Sequence, residues 1–222
     1  VGTLVQVGDR WRMIGLPNVS STDGAITETG GIFFASSGNR TAGAAPAADS
    51  QIQSLVAQLE AIDTKLAQSD AASLPKLHAA RADLVEKLID ASGNEQDRAT
   101  WTRQLVDTVS VAVQSGQYPD GLKRLKRVAS RFASGDRQLA AYADYQAIQA
   151  EYVTRGTPDA DFEEVQKWFL SSLSRFVDDH PRSMEAAQAM LQLALSKEFE
   201  GDEKAALAYY KKVSEVYRNT EA

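Results

Sequence analysis

The chain has 222 residues, with 30 acidic and 24 basic side chains, a formal net charge of −6, and 43% hydrophobic positions. This balance is typical of a folded chain of one or two domains, and it excludes a disordered polyelectrolyte and a strongly basic nucleic-acid-binding protein. The absence of cysteine excludes disulfides, thiolate zinc ligands and cysteine catalysis within this sequence, and no apolar run is long enough to cross a bilayer.

The sequence begins at Val1, without an initiator methionine and without the basic and apolar segments of a leader peptide. We therefore expect it to be a piece of a longer chain. The lack of cysteine is compatible with a reducing cytoplasm and equally with an envelope protein that needs no disulfide.

Residues 1–34 are predicted to be β structure. Short apolar-rich runs at 3–7 and 11–16 flank a turn signal around Gly8, a pattern that predicts a small β hairpin. A lone two-stranded hairpin is marginal in water, so we expect it to pack on the later helices or on a preceding sheet. A further apolar stretch at 32–34 is either a third strand or an extended segment.

Residues 35–49 contain no apolar side chain larger than alanine, and they are rich in Ala, Ser and Gly. Such a segment cannot bury a core and is predicted to be a linker. Because helical periodicity is present after this segment and absent before it, it marks the predicted domain boundary.

Residues 50–92 are predicted to form an antiparallel helical hairpin. Apolar side chains recur every three or four residues in two stripes: Ile52, Leu55, Leu59, Ile62 and Leu66, then Leu74, Leu77, Leu84 and Leu88. This spacing places each stripe on one face of a helix, and Arg81 interrupts the second. The short connection around Ser69 favours antiparallel neighbours.

Residues 93–222 are predicted to be three helix pairs. Gly and Pro residues bound six helices at 95–115, 118–133, 136–154, 160–179, 183–199 and 202–218. The tetrapeptide at 130–133 recurs at 174–177, and the helix that follows each copy also matches. Two sequence matches in the same order indicate an internal repeat.

The last pair resembles a tetratricopeptide repeat of the divergent bacterial type. The residues that carry the resemblance are small side chains, a turn glycine and aromatic or aliphatic packing residues: Ala186, Ala189, Leu193, Ala194, Gly201, Ala206, Tyr210 and Val213. The resemblance covers about residues 160–222, and more loosely 95–159. It implies a stacked array of helix pairs that works by binding other proteins.

A second resemblance involves the order of segments along the whole chain. The Trp11 hairpin, the Gly30, Gly31 stretch, an Ala/Pro linker and tetratricopeptide-like helices are similar to the region ahead of the thioredoxin-like domain in bacterial envelope redox proteins of the thiol–disulfide oxidoreductase type. This resemblance implies an accessory region in the bacterial cell envelope or periplasm. The redox activity would then lie outside this chain, because no Cys-x-x-Cys is present.

The tetratricopeptide resemblance also implies a set of binding residues. It places Gln188, Leu191, Leu195 and Glu198 on the inner, concave face of the last pair, with Tyr142 and Tyr145 as their counterparts one pair earlier. These side chains would bind a peptide or a neighbouring domain. The alternative is that Leu191 and Leu195 complete the packing between adjacent pairs.

We interpret the other candidate sites as ordinary structural positions. His180 follows two aspartates at a predicted turn, and we interpret it as a solvated turn residue rather than a metal ligand. The basic cluster of Lys123, Arg124, Lys126, Arg127 and Arg131 is interpreted as a solvated helix face, although it could also meet a phosphate or an acidic partner. We predict no catalytic residue, no metal site and no cofactor.

The sequence therefore predicts a mainly α protein: a tetratricopeptide-like helix-pair array preceded by an antiparallel helical hairpin and a small N-terminal β hairpin. The predicted function is a non-catalytic protein-interaction scaffold. The alternative is the N-terminal accessory region of an envelope thioredoxin-like redox protein. Its expected partner is a protein, a peptide or a downstream domain of the same polypeptide, and not a nucleic acid. The sequence does not predict an oligomeric state.

Overall fold

A computed structural model describes the backbone of residues 3–7, 10–14 and 46–220, and the side chains of residues 50–215. The chain divides into two compact units, Val1–Ala42 and Gly43–Ala222. The apolar stretch at 32–34 and the predicted linker up to residue 45 lie outside the described residues.

The first unit contains two short strands, β1 (Thr3–Val7) and β2 (Arg10–Ile14), which pair antiparallel with each other. The prediction that a β hairpin belongs to the fold class is nevertheless wrong. The second unit, whose packed core defines the fold class, contains helices and no strand among its described residues 46–220. The physical reason is size, because two strands of five residues each cannot bury a core of their own.

Eight helices make up the described part of the second unit: α1 (Pro46–Gln68), α2 (Leu74–Ala91), α3 (Glu95–Gln114), α4 (Gly121–Phe132), α5 (Arg137–Arg155), α6 (Phe162–Asp179), α7 (Met184–Phe199) and α8 (Glu203–Thr220). The bounds of α3 to α8 lie within three residues of those predicted. α1 begins at Pro46, inside the predicted linker, because proline suits the first turn of a helix and alanine is the strongest helix former.

Side-chain caps fix where several helices begin. The Asn94 side chain accepts from the Asp97 amide at the start of α3, and Asp136 accepts from the Gln138 and Leu139 amides at the start of α5. Asp161 and Ser183 cap the starts of α6 and α7 in the same way. Each cap satisfies amides that have no partner within the helix, so these short polar residues set the helix boundaries.

The helices pack mainly on their neighbours in sequence. α1 packs on α2 and α2 on α3, after which α3 contacts both α4 and α5, α5 contacts α6, and α7 packs between α6 and α8. Buried side chains recur at steps of three, four and three residues on α3 (Thr102, Leu105, Val109 and Ala112) and α5 (Ala140, Ala143, Ala147 and Ala150), and at the first two of these steps on α7 (Ala186, Ala189 and Leu193). The architecture is all-α and helical-repeat-like.

Two turns depend on glycine in the left-handed region. Gly116, just after α3, has φ 73°, and Gly201, just after α7, has φ 82°. Residues with a side chain rarely adopt such angles. The two glycines therefore close the turns α3–α4 and α7–α8 in the same way.

The core of the helical unit consists of two clusters that share α5. The first joins α1 to α4 with Leu139, Ala140, Ala143, Ala147 and Ala150 of α5. The second joins α6 to α8 with Ala141 and Tyr145 of α5. α5 therefore buries side chains in both clusters.

Within the part of the chain that the structure describes, no helix combines the length and apolar character that a membrane crossing requires.

Candidate functional site

The candidate site is a surface formed by the alternate helices α3, α5 and α7, which we call the α3–α5–α7 face. It lies next to the repeated buried positions of these helices. Its residues are Arg103, Asp107, Val111 and Gln114 on α3, Tyr142, Gln146 and Gln149 on α5, and Glu185, Gln188, Leu191, Gln192, Leu195 and Glu198 on α7.

Hydrogen bonds join α3 to α5 across this face. The Tyr142 hydroxyl donates to the Asp107 carboxylate, and the Arg103 guanidinium lies 4.8 Å from the centre of the Tyr142 ring. One turn further along, Ser110 Oγ donates to Gln146 Oε1 at 3.3 Å. These contacts hold the two helices in register and leave the exposed side of Asp107 open to solvent.

A second set of hydrogen bonds joins α5 to α7. Gln149 Nε2 donates to Gln192 Oε1 at 3.2 Å, and Gln192 Nε2 donates to the Tyr145 hydroxyl at 3.3 Å. The amide of Gln192 thus bridges two residues of α5, which fixes its orientation at the centre of the face.

The six predicted binding residues have different environments. Tyr145 is 6% exposed and packs its ring 5.5 Å from that of Phe176, so it belongs to the core rather than to an accessible surface. Tyr142 and Leu191 are half-buried, and Leu191 packs against the second core cluster. This packing is the alternative considered for Leu191 from the sequence.

Two of the other three predicted residues are more accessible. Gln188 is exposed, and Leu195 is 41% exposed, which is high for a leucine in a folded chain. Glu198 is half-buried and accepts a hydrogen bond from the Tyr210 hydroxyl at 3.0 Å. Leu195 and Gln188 are therefore available to a partner.

Sequence reasoning missed the part of the face that lies on α3. Val111 is 66% exposed, and it follows Asp107 by one helical turn, as Leu195 follows Leu191. When the buried positions of α3, α5 and α7 are aligned, Val111 becomes the equivalent of Gln149 and Leu195, and this shared periodicity is the signal that the sequence contains. The larger and more varied side chains of α3 obscured that alignment.

Burial and neighbouring carboxylates raise the pKa of both tyrosines. Burial is the main cause at Tyr145 and raises its pKa to about 12, with a further contribution from the charge of Glu185. Burial also raises the pKa of Tyr142, and the hydrogen bond to Asp107 and the Asp107 and Glu185 charges act in the same direction. Both phenols are neutral at physiological pH.

The predicted basic cluster on α4 is largely neutralised by acidic partners. Arg124 is buried and pairs with Asp83 and, at 3.6 Å, with Glu86, both on α2. Arg131 pairs with Asp90, Lys126 with Glu151, and Lys123 with Asp120. The prediction of a solvated face is therefore wrong for Arg124, which packs against α2.

His180 also differs from its prediction as a solvated turn residue. It ends α6, its ring lies 4.9 Å from that of Phe176, and Nε2 lies 3.6 Å from Asp144 Oδ2. It thus ties the turn after α6 to α5. In the described part of the chain, no group of three or more His, Cys, Asp or Glu side chains is arranged to hold a metal ion.

Two adjoining cavities lie at the N-terminal ends of α3, α5 and α7. One, of about 610 Å³, is lined by residues that include Arg98 and Arg137, and the other, of about 460 Å³, by residues that include Arg137, Asp179 and Arg182. Both occur beyond the ends of the α3–α5–α7 face, and both mix acidic with basic side chains.

Comparison with models of known protein families, with curated proteins and with solved structures gave no match. The fold and the face together define an all-α protein of helical-repeat-like architecture.

Proposed function

We propose that this chain is a non-catalytic protein-interaction scaffold that binds a peptide segment of a partner on its α3–α5–α7 face. The observation that carries the proposal is that Val111 and Leu195 are both exposed, at positions of α3 and α7 that correspond in the repeated burial pattern of the two helices. Apolar side chains that are exposed together on one surface, with polar groups around them, mark candidate contact surfaces.

The polar groups of the face suit an extended peptide. Glutamine amides carry both donors and an acceptor, the pair of groups that a peptide backbone presents in turn. Gln188 is exposed, and Gln149 of α5 and Gln192 of α7 are half-buried. A peptide placed across the three helices would bury its aliphatic side chains on Val111 and Leu195 and pair its backbone with these amides.

The tetratricopeptide-like character of the array remains part of this proposal. It is supported by the repeated burial pattern of α3, α5 and α7 and by the matching glycine turns at Gly116 and Gly201. In such arrays each pair contacts only its neighbours, and the aligned helices provide a continuous binding surface.

The test is selection from a displayed library of random peptides with the whole chain as bait. We expect enriched peptides to bind the native chain and to lose about ten-fold or more in affinity for the double variant Val111→Ser, Leu195→Ser. Leu207→Ser, at a leucine of α8 that is 53% exposed, is the matched control and should bind as the native chain does. Equal binding to the native chain and the double variant would contradict the proposal.

A further inference from the structure

The charges on the α3–α5–α7 face are mostly negative. Asp107 lies on α3, and Glu185 and Glu198 lie on α7, whereas Arg103 is the basic residue among those that define the face. Glu185 is close enough to Tyr142 and Tyr145 for its charge to contribute to the raised pKa of both phenols. Two of the three carboxylates therefore lie around Tyr142, near the middle helix.

The basic side chain on the face is already engaged. The Arg103 guanidinium lies over the Tyr142 ring, where the π electrons attract it. Asp107 accepts from Tyr142 and Glu198 accepts from Tyr210, but a carboxylate offers about four acceptor positions, so each can receive a further donor. The face can therefore accept cationic groups more readily than it can neutralise anionic ones.

We infer that the peptide recognised by the α3–α5–α7 face carries lysine or arginine side chains beside its aliphatic ones. The aliphatic residues contact Val111 and Leu195, and the basic groups lie against Asp107, Glu185 and Glu198. An acidic peptide would place like charges against these carboxylates and would be rejected. This inference rests on the proposed function and adds the charge of the partner to it.

The experiment uses three displayed peptide libraries that share random aliphatic positions. Their remaining positions are restricted to Lys and Arg, to Ser and Asn, or to Asp and Glu. We expect the whole chain to enrich the basic library most strongly, and we expect the affinity of the selected peptides to fall as salt is added, because salt screens charge pairs at a protein surface.

Variants then assign the preference to particular carboxylates. Glu185→Gln should weaken binding of the basic peptides about three-fold, an effect typical of one charge pair at a protein surface, and should leave neutral peptides unaffected. Glu163→Gln, an exposed glutamate in the first turn of α6, is the matched control and should change neither.

The outcomes separate the inference from the proposed function. Enrichment of neutral or acidic peptides that still depend on Val111 and Leu195 would overturn the inference and keep the scaffold function. Equal effects of Glu185→Gln and Glu163→Gln on basic peptides would also overturn it. Enrichment that is insensitive to Val111→Ser, Leu195→Ser would overturn the proposed function itself.

Discussion

Gly121 lies at the start of α4, close to Val109 and Val113 of α3. A Cβ atom at this position would lie 2.5 Å from Val113 Cγ2 and 2.8 Å from Tyr118 Cδ1. Real Cβ contacts are not this short, and both neighbours are themselves buried. The role of this glycine is therefore close packing between two helices.

We expect Gly121→Ala to lower the free energy of unfolding by about 1 to 3 kcal/mol, since the extra methyl group overpacks the α3–α4 contact. Gly135→Ala is the matched control, because the space around Gly135 is open. Urea denaturation of both variants measures the difference. Equal stability of the two variants would show that α3 and α4 do not approach as described.

Burial of Tyr145 predicts a dependence of stability on alkaline pH. A free phenol has a pKa of about 10, and the folded-state pKa of Tyr145 is raised to about 12, so the folded state favours the neutral form. The stability that this preference provides is complete below pH ~10 and is lost as the pH rises through about 12.

Tyr145→Phe cannot ionise, so its stability should decline less between neutral and alkaline pH than that of the native chain. The difference in decline should reach about 1 kcal/mol near pH ~11. Denaturant unfolding at a series of pH values measures the free energy of unfolding of both proteins. Their difference at neutral pH gives the cost of the lost hydrogen bond from Gln192 and is subtracted. Parallel curves for the two proteins would contradict the assignment.

Buried arginines were not predictable from the spacing of apolar residues. Arg81 interrupts the apolar stripe of α2, yet it is 7% exposed, and its guanidinium donates to Asp63 on α1 and to Thr108 on α3. Periodicity places a residue on a face, but it does not show that acidic and hydroxyl partners from two other helices converge there.

At the scale of elements, ion pairs attach α4 to α2. Arg124 and Arg131 of α4 pair with Asp83 and Asp90 of α2, but Arg124 is buried and Arg131 is exposed. Without Asp83, the buried Arg124 guanidinium would keep only the longer contact to Glu86, whereas an exposed guanidinium is solvated by water. The two ion pairs should therefore contribute different amounts to the free energy of unfolding.

We expect Asp83→Asn to lower the free energy of unfolding by about 1 to 2 kcal/mol and Asp90→Asn by less than about 1 kcal/mol. Thermal unfolding of both variants in low and high salt measures the loss of stability. The loss caused by Asp90→Asn should depend more strongly on salt than the loss caused by Asp83→Asn. A larger cost for Asp90→Asn than for Asp83→Asn would refute this ranking.

The helices were predictable because their signals are local. Capping residues such as Asn94, Asp136 and Ser183 precede periodic apolar residues, and both signals lie within one element. Whether strands belong to a packed core depends instead on contacts with distant residues. The hairpin pattern at 3–14 is local, so it could not show whether the strands join a packed core. Among the described residues of the helical unit, the core is built from helices.

The candidate site was predictable only in part. Gln188 and Leu195 lie on an exposed part of α7, and small residues at 186, 187 and 189 form its buried side. The repeat did not show that Tyr145 turns into the second core, where Phe176 and Gln192 meet it. That outcome depends on how α6 and α7 pack against α5.

At the scale of the whole molecule, α5 joins two cores, and removing everything after it should expose one of its faces. A chain that ends at Arg155 keeps the first cluster but leaves Ala141, Tyr145 and Tyr152 without α6 to α8. We expect such a chain to self-associate or to lose helicity, as seen by sedimentation and circular dichroism. A monomeric truncation with one sharp unfolding transition would count against the shared helix.

The shared position of α5 also governs how the molecule opens. Its backbone amides can exchange hydrogen with solvent only when α5 separates from its neighbours in both clusters, so they should be the slowest to exchange. α1 packs mainly on α2, and α8 packs mainly on α7, so both should fray first. The most protected backbone would then lie in the helix that carries Tyr142 and Gln149, and a partner bound there would rest on the least fluctuating part of the helical unit.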